Sequence, residues 1–460
     1  SRRMACIWWK RVRPSWVTSW PTQSWPQQIT STRDEGNPAR DGSRATPVTD
    51  GNQADGRDQV VSLDLDAATD EAVEAILGAR ERFRGWVERI RPREGPRGRF
   101  HWAIEHTRDA SIPSTGYALG AMAMMGVFDE IITDDDRREG IDWIMSRYAG
   151  DGQFRDPALL DRISPDWPKD KPWPSPAMRE SSNGYAYASL TRYGADDIPV
   201  RQPAKGLLAS DGWEGMLEFI TTRDIDASPW GEGSHAGRMC LYLVREYREG
   251  KAPLEAIVEA AEFLLGKQDP ATGTWGRPDL PLHQRLNGAY KLFGFLRCTL
   301  DLPLPHADRL LDSGFDYFYE PDHDEQMNSC SEWDALMVMR ELQPLTHGHR
   351  EEELKKLAAH RIVRIVQLAQ QADGGFSATP TCCTTSFVGF DMAPPILQGD
   401  VHAGIFAQAI GECADILEIQ ERACIPGMNR QLADEDADLR RAVCDALSRM
   451  EVIPDDGGPR

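Results

Sequence analysis

A two-helix unit recurs six times between residues 114 and 450, and this periodicity restricts the fold more than any other feature of the chain. In each unit an apolar segment rich in small residues precedes a more charged one. The first segments read "STGYALGAMAMMGVF", "SSNGYAYASLTRYG", "SHAGRMCLYLVREY", "RLNGAYKLFGFLRCTL", "SEWDALMVMREL" and "DVHAGIFAQAIGECADIL". Their partners read "DDDRREGIDWIMSRYA", "DGWEGMLEFITTRD", "PLEAIVEAAEFLLGKQ", "HADRLLDSGFDYFYE", "EEELKKLAAHRIVRIVQLAQQ" and "ADEDADLRRAVCDALSRM". A pair of this kind leaves one apolar face uncovered and must stack on its neighbours. Six pairs can close into a ring. The pattern predicts an all-α fold, an (α/α)6 toroid with the first segments inside and their partners outside.

The first segments align on a glycine at Gly116, Gly184, Gly237, Gly288 and Gly404, with Asp334 at that place in the fifth. Glycine inside a helix costs about 1 kcal/mol relative to alanine, so its recurrence implies close packing or a close ligand. Two positions earlier stand Ser114, Ser182, His235, Leu286, Glu332 and His402. Polar residues at the starts of otherwise apolar helices point to a shared cavity mouth. The serines fit helix N-caps equally well, and Asp400 can be read either way.

Composition removes several function classes. The 460 residues carry a formal net charge of −21, which argues against nucleic acid and anionic membrane surfaces as partners, since both need clustered Lys and Arg. No stretch reaches the roughly 18 apolar residues of a membrane span. Nine widely spaced cysteines form no disulfide framework and suit a reducing compartment, so a cytoplasmic location is expected. Residues 1–65 are rich in Trp, Pro, Arg, Gly and Asp without apolar period and read as a disordered or loosely packed extension. Their basic start is not followed by a run of about seven apolar residues, so no secretory signal is predicted. Helical periodicity begins with "DAATDEAVEAILGARERFRGWVERI", and residues 66–455 are expected to form a single domain.

Two turns share one order of residues. "KQDPATGTWG" places Gln268 before Gly273, Trp275 and Gly276, and "QQADGGFSA" places Gln371 before Gly374, Gly375 and Phe376; "GDGQFRDP" is a weaker third case, around Gly152, Gln153 and Phe154. These turns, with the helix pairing of residues 100–450, resemble the repeat signature of the terpenoid cyclase and protein prenyltransferase superfamily. The resemblance implies that Gln268 with Trp275, and Gln371 with Phe376, tie one outer helix to the next repeat.

The same resemblance frames the chemistry. Class II terpene cyclases protonate an alkene with the middle Asp of a DxDD sequence at the head of an inner helix. Here that site falls on "CSEWDA", with Glu332 at the proton-donor position and Asp334 two residues on, while Cys330 and Trp333 depart from the pattern. Protein prenyltransferases hold zinc through an Asp-x-Cys pair and a His. Cys330 and His402 match those places, but Asn328 stands where the Asp ligand belongs. No other cofactor is implied, and an enzyme of that kind would need a partner subunit.

A third reading starts from the rim itself. Asn183, Tyr185, Trp230, Arg238, Arg285, Tyr290, Lys291, Trp333 and Asp400 mix aromatic rings with amide, cationic and carboxyl groups, the usual lining of a sugar site. In a uronate lyase, Asn and Arg neutralise the substrate carboxylate while His or Tyr removes the adjacent proton; Asn183, His235, Arg238 and Tyr290 are the residues for those roles. The acid–base candidates overall are Glu332, His235, His402 and Asp334. The expected function is an enzyme acting on a small molecule in a central cavity, of the terpene-cyclase or prenyltransferase kind, an isomerase or lyase. A polysaccharide lyase or glycoside hydrolase acting on an oligosaccharide is the alternative. An inert interaction scaffold is the third possibility.

Overall fold

The computed structural model describes residues 56–160, 176–203, 207–208, 210–387, 390–428 and 436–453. Residues 1–55, the greater part of the expected extension, lie outside the described residues. Six helices form an inner layer: α3 (Ile112–Met124), α7 (Pro176–Tyr193), α9 (Pro229–Arg248), α11 (Leu282–Leu296), α13 (Ser329–Leu342) and α15 (Ile405–Leu417). Six lie outside: α2 (Leu65–Arg89), α5 (Asp134–Met145), α8 (Gly212–Thr221), α10 (Leu254–Leu265), α12 (Ala307–Phe318) and α14 (Glu351–Ala369). The other described helices are α1 (Gly56–Val61), α4 (Phe128–Ile131), α6 (Pro157–Leu160), α16 (Gln420–Ala423) and α17 (Ala437–Arg449). The described strands are two-residue pieces, Ser386–Phe387 and Phe390–Asp391, paired antiparallel. The protein is all-α, an α/α toroid with an inner and an outer layer.

The inner layer closes on itself. α3 packs on α7 and on α15, α15 on α13, α13 on α11, and α11 on α9. The ring is completed where the Tyr242 hydroxyl of α9 donates to the Glu180 carboxylate of α7. The glycine register is what lets these helices approach. A Cβ on Gly237 would stand 2.2 Å from the Lys291 carbonyl oxygen, one on Gly288 2.5 Å from Pro229 Cβ, and one on Gly404 2.6 Å from Ala121 Cβ. The recurrence therefore reflects helix-to-helix contact within the ring.

The outer helices are amphipathic and bury one face. In α10 the buried residues are Ala256, Ile257, Ala260, Ala261, Leu264 and Leu265, the spacing of a 3.6-residue period. α2 buries Ala72, Val73, Ile76, Ala79, Phe83, Trp86 and Val87, and it packs on α14. Here the structure departs from the expected pairing. The sequence pattern assigns residues 433–450 as the outer partner of α15, but α17 lies against α10, with the Arg248 guanidinium paired to Asp436. α2 takes the sixth outer place. The reason is apolar area: α17 buries only Leu439, Val443 and Leu447, too narrow a stripe to cover an inner helix, whereas α2 buries eight apolar residues along its length, Ala68 included. The short α1 lies on α14 with Val60 buried, inside the stretch expected to be loose.

The repeated turns join successive outer helices. At the end of α10, Gln268 pairs with Trp275 across the turn, Gln268 Nε2 donates to the Gly273 carbonyl at 2.8 Å, and Trp275 Nε1 donates to the Leu264 carbonyl at 2.7 Å. Gly273 has φ +71°, and a Cβ there would lie 2.5 Å from Leu310 N of α12. The turn after α14 repeats this against α2, where a Cβ on Gly374 would meet the Arg82 carbonyl oxygen at 2.3 Å. The glutamine in this second turn is Gln370, which pairs with Phe376 and donates through Nε2 to the Ala79 and Gly374 carbonyls, each at 2.9 Å. Gln371, the residue expected in that role, instead donates to Ser377 Oγ at 2.7 Å. Asp269 follows Gln268 directly in the first turn, whereas two residues separate Gln370 from Asp373 in the second, and alignment on the glycine alone hides the shift.

Candidate functional site

A cavity sits at the centre of the ring and receives side chains from all six inner helices. Its lining comprises Tyr117, Tyr185, Trp230, Tyr290, Lys291, Cys330, Trp333, Asp334, Ile405 and Gln408. The space open to the centres of water-sized molecules is about 30 Å3, room for a water or two. A larger ligand must move side chains to enter. Trp230 is the half-buried member of the wall; the others are buried.

Five aromatic rings dominate the walls. Tyr117 and Tyr185 meet at 4.5 Å between centroids, and their hydroxyls are hydrogen bonded to each other. Tyr290 and Trp333 meet at 4.8 Å on the other side. Trp333 is held by Glu412 of α15, whose Oε1 accepts the indole N–H at 3.1 Å, and Arg340 pairs with the second oxygen. Burial pushes the Glu412 carboxyl up to about 7 against the opposing pull of Arg340. Phe387, on the short strand pair, closes the tyrosine side, with its ring 5.5 Å from Tyr185 and 6.0 Å from Tyr117.

Charge in the cavity comes from Asp334 and Lys291. Lys291 Nζ lies 3.2 Å from Asp334 Oδ2, and both side chains are almost fully buried. Desolvation raises the Asp334 carboxyl to about 7, with Lys291 pulling the other way. Close to neutrality this group is divided between acid and carboxylate. Lys291 also lies over the Tyr290 ring at 4.2 Å.

Cys330 and His402 do meet, as their places in the sequence suggested. Cys330 Sγ is 3.7 Å from His402 Nε2, and His402 Nδ1 is 3.1 Å from Thr384 Oγ1. Burial lowers His402 to about 3 and raises the Cys330 thiol to about 12, so near neutral pH the pair is a neutral imidazole beside a neutral thiol. Among the described residues no group of three or more His, Cys, Asp or Glu side chains is arranged to hold a metal ion. Asn328, at the place of the missing ligand, caps α13 through a hydrogen bond to Cys330 N at 3.1 Å. The eight cysteines among the described residues are free thiols.

The remaining sequence candidates disperse. Glu332 faces the outer layer, where Arg361 of α14 reaches it at 3.1 Å and His323 is hydrogen bonded to it. Although burial opposes ionisation, the charges of Arg361 and His323 hold its carboxyl below the usual range. Asn183 serves the 152–154 turn, accepting from Phe154 N at 2.8 Å and donating to the Gly152 carbonyl at 3.1 Å. Arg285 braces the turn after α10 through the Thr274 hydroxyl at 3.3 Å and the Leu280 carbonyl at 3.2 Å. Asp400 accepts from Thr384 N and Ala403 N at 2.8 Å each; burial nevertheless raises it to about 7. Arg238 shares the field of Glu180, Arg201 and Tyr242. His235 is lowered to about 4 by burial and then by Arg238 and Arg223. Ser114 forms a capping box with Ser111 at the start of α3, and the side chain of Ser182 lies outside the described residues.

Three cavity residues were not singled out in the sequence: Tyr117, Ile405 and Gln408. Tyr117, Tyr185 and Ile405 each follow the register glycine by one residue, and that column was the available signal. Gln408, four residues after Gly404, is one turn further into the cavity and carried no mark of its own.

No family model matches the chain, and no curated protein matches it. Among solved structures the chain is similar to Candida albicans protein geranylgeranyltransferase-I complexed with GGPP, at 10% identity and a TM-score of 0.38, covering 72% of this chain and 91% of that one. A likeness this distant carries no argument about activity.

Proposed function

We propose that the protein is an enzyme that uses Asp334 as a general acid on an isoprenoid alkene bound in the central cavity. The observation that carries this reading is one buried carboxyl, raised to about 7 and therefore able to donate a proton, in a cavity walled by five aromatic rings. Electron-rich ring faces stabilise a cation by about 0.5–2 kcal/mol each when water is excluded. In the proposed step the Asp334 O–H bond breaks and its proton joins one alkene carbon. The π electron pair forms the new C–H bond and the other carbon becomes cationic. Loss of a proton from a neighbouring carbon to the Asp334 carboxylate closes the cycle, and the net change is isomerisation or cyclisation. Lys291, 3.2 Å away, stabilises the carboxylate while the cation persists.

Glu332 supports this reading less well than Asp334, because it is ionised against Arg361 on the outward side of α13. The uronate reading loses support where Asn183 is occupied by the 152–154 turn. The test is incubation of the purified protein with prenyl diphosphates and squalene in D2O, with products resolved by gas chromatography and mass spectrometry. A product carrying one deuterium at the protonated carbon is expected, and kcat/KM should fall above pH 7 as Asp334 ionises. Asp334→Asn should lower turnover roughly 100- to 10,000-fold with an unchanged circular dichroism spectrum. A panel that yields no product, or a variant that turns over normally, refutes the assignment; turnover of uronate polysaccharides in a parallel panel would replace it.

A further inference from the structure

Buried polar atoms without a partner are uncommon in folded proteins, because each gives up its hydration with nothing in return. Three of them belong to side chains that line the central cavity: Asp334 Oδ2, which lies against the Lys291 ammonium, and two others. Gln408 Oε1, on a side chain only 2% exposed, has no hydrogen-bond partner among the described residues. Trp230 Nε1, on the opposite part of the ring, has none either. One is an acceptor and the other a donor, and they come from α15 and α9. Neither is explained by packing, since a leucine at 408 or a phenylalanine at 230 would fill similar space without the penalty.

We propose that the cavity ligand is a hydroxyl-bearing molecule and that Gln408, with Trp230, recognises its oxygen. A hydrocarbon leaves both atoms unsatisfied. A diphosphate offers acceptors only, which suits the indole N–H and satisfies the carboxamide only where its NH2 group faces the ligand. A hydroxyl both donates and accepts, so it satisfies Gln408 whichever way the carboxamide is turned, and it is small enough to occupy the place of the one or two waters that the cavity admits. Asp334 lines the same cavity, so a hydroxyl held there places the adjoining carbons within the acid's compartment. The isoprenoid skeleton rests on the functional reading above, whereas the hydroxyl rests on Gln408 and Trp230 alone.

The experiment is calorimetric titration of the full chain with two matched pairs: farnesol against farnesene, and cyclohexanol against methylcyclohexane. Farnesol is expected to bind about 10- to 100-fold more tightly than farnesene, the range for one buried partner gained or lost. Gln408→Leu should bring that ratio closer to one. Trp230→Phe, which keeps the ring and removes the N–H, should narrow the ratio as well and serves if the leucine variant folds poorly. Equal binding of farnesol and farnesene by the wild type overturns the hydroxyl and leaves the isoprenoid reading standing. A preference confined to cyclohexanol, with neither isoprenoid bound, upholds the hydroxyl and removes the isoprenoid. Binding of neither pair means that resident water satisfies Gln408, and this overturns the proposal.

Discussion

Replacing Trp275 with alanine tests the turns that close the toroid. The Trp275 ring is fully buried, lies edge-on to Phe293 of α11 at 6.5 Å, and is fixed by the hydrogen bond from Nε1 to the Leu264 carbonyl. A buried tryptophan removes about 150–250 Å2 from water, worth roughly 4–6 kcal/mol at about 25 cal/mol/Å2. Alanine retains part of that area, so the transfer loss is about 3–5 kcal/mol. The lost hydrogen bond adds about 1 kcal/mol, since Leu264 still accepts from Lys267 N. The wall cannot collapse to fill the space, because Gly273 and Gly276 hold the backbone at φ +71° and +103° against α12 and Pro229. With an m-value of roughly 4 kcal/mol/M for a chain of this size, the urea midpoint should fall by about 1 M, followed by circular dichroism. Trp275→Phe keeps most of the apolar area and should cost only about 1–2 kcal/mol. An unchanged midpoint for the alanine variant, or equal losses for both variants, would refute the account of the turn as a packed staple.

The glycine register predicts opposite signs at two helical positions: Gly237→Ala should destabilise by about 1–3 kcal/mol as overpacking against the Lys291 backbone, while Gly294→Ala, with nothing within 4 Å of the added Cβ, should stabilise by up to about 1 kcal/mol through helix propensity. Thermal unfolding of both variants checks this, and a shared sign would contradict it. His402 gives a pH signature. Its pKa is lowered from 6.5 to about 3, so the unfolded chain binds the extra proton, and stability present above pH 6.5 is lost as pH falls towards 3. His402→Gln should therefore reduce the loss of stability between pH 6.5 and 4, measured as the urea midpoint of variant and wild type across that range. Asp334, raised from 3.8 to about 7, has the reverse sign: its contribution is most favourable below pH 3.8 and is lost as pH rises to 7. In Asp334→Asn that loss should disappear.

The architecture was legible because it depends on periodic, local properties. Six apolar segments, five of them with a register glycine, each followed by an amphipathic one, admit few solutions other than a closed double layer, and the inner helices form at the segments so marked. Close packing at Gly237, Gly288 and Gly404 was legible for the same reason: only contact or a ligand offsets a glycine inside a helix. The sixth outer helix was not, because α2 and the 433–450 segment both show helical period, and the choice between them turns on how much apolar area each can lay against the ring. The site was legible only in outline. Asp334, Tyr185, Trp230, Tyr290 and Trp333 share the cavity, but Glu332, one residue from Trp333 and two from Asp334, points the other way, since successive helix positions are rotated by about 100°. Whether Asp334 is an acid or an ion-pair partner also lies beyond the sequence, since its raised pKa follows from burial at the meeting of six helices. Gln408 carries no motif, and its role arises only because no described neighbour offers its buried amide oxygen a hydrogen bond.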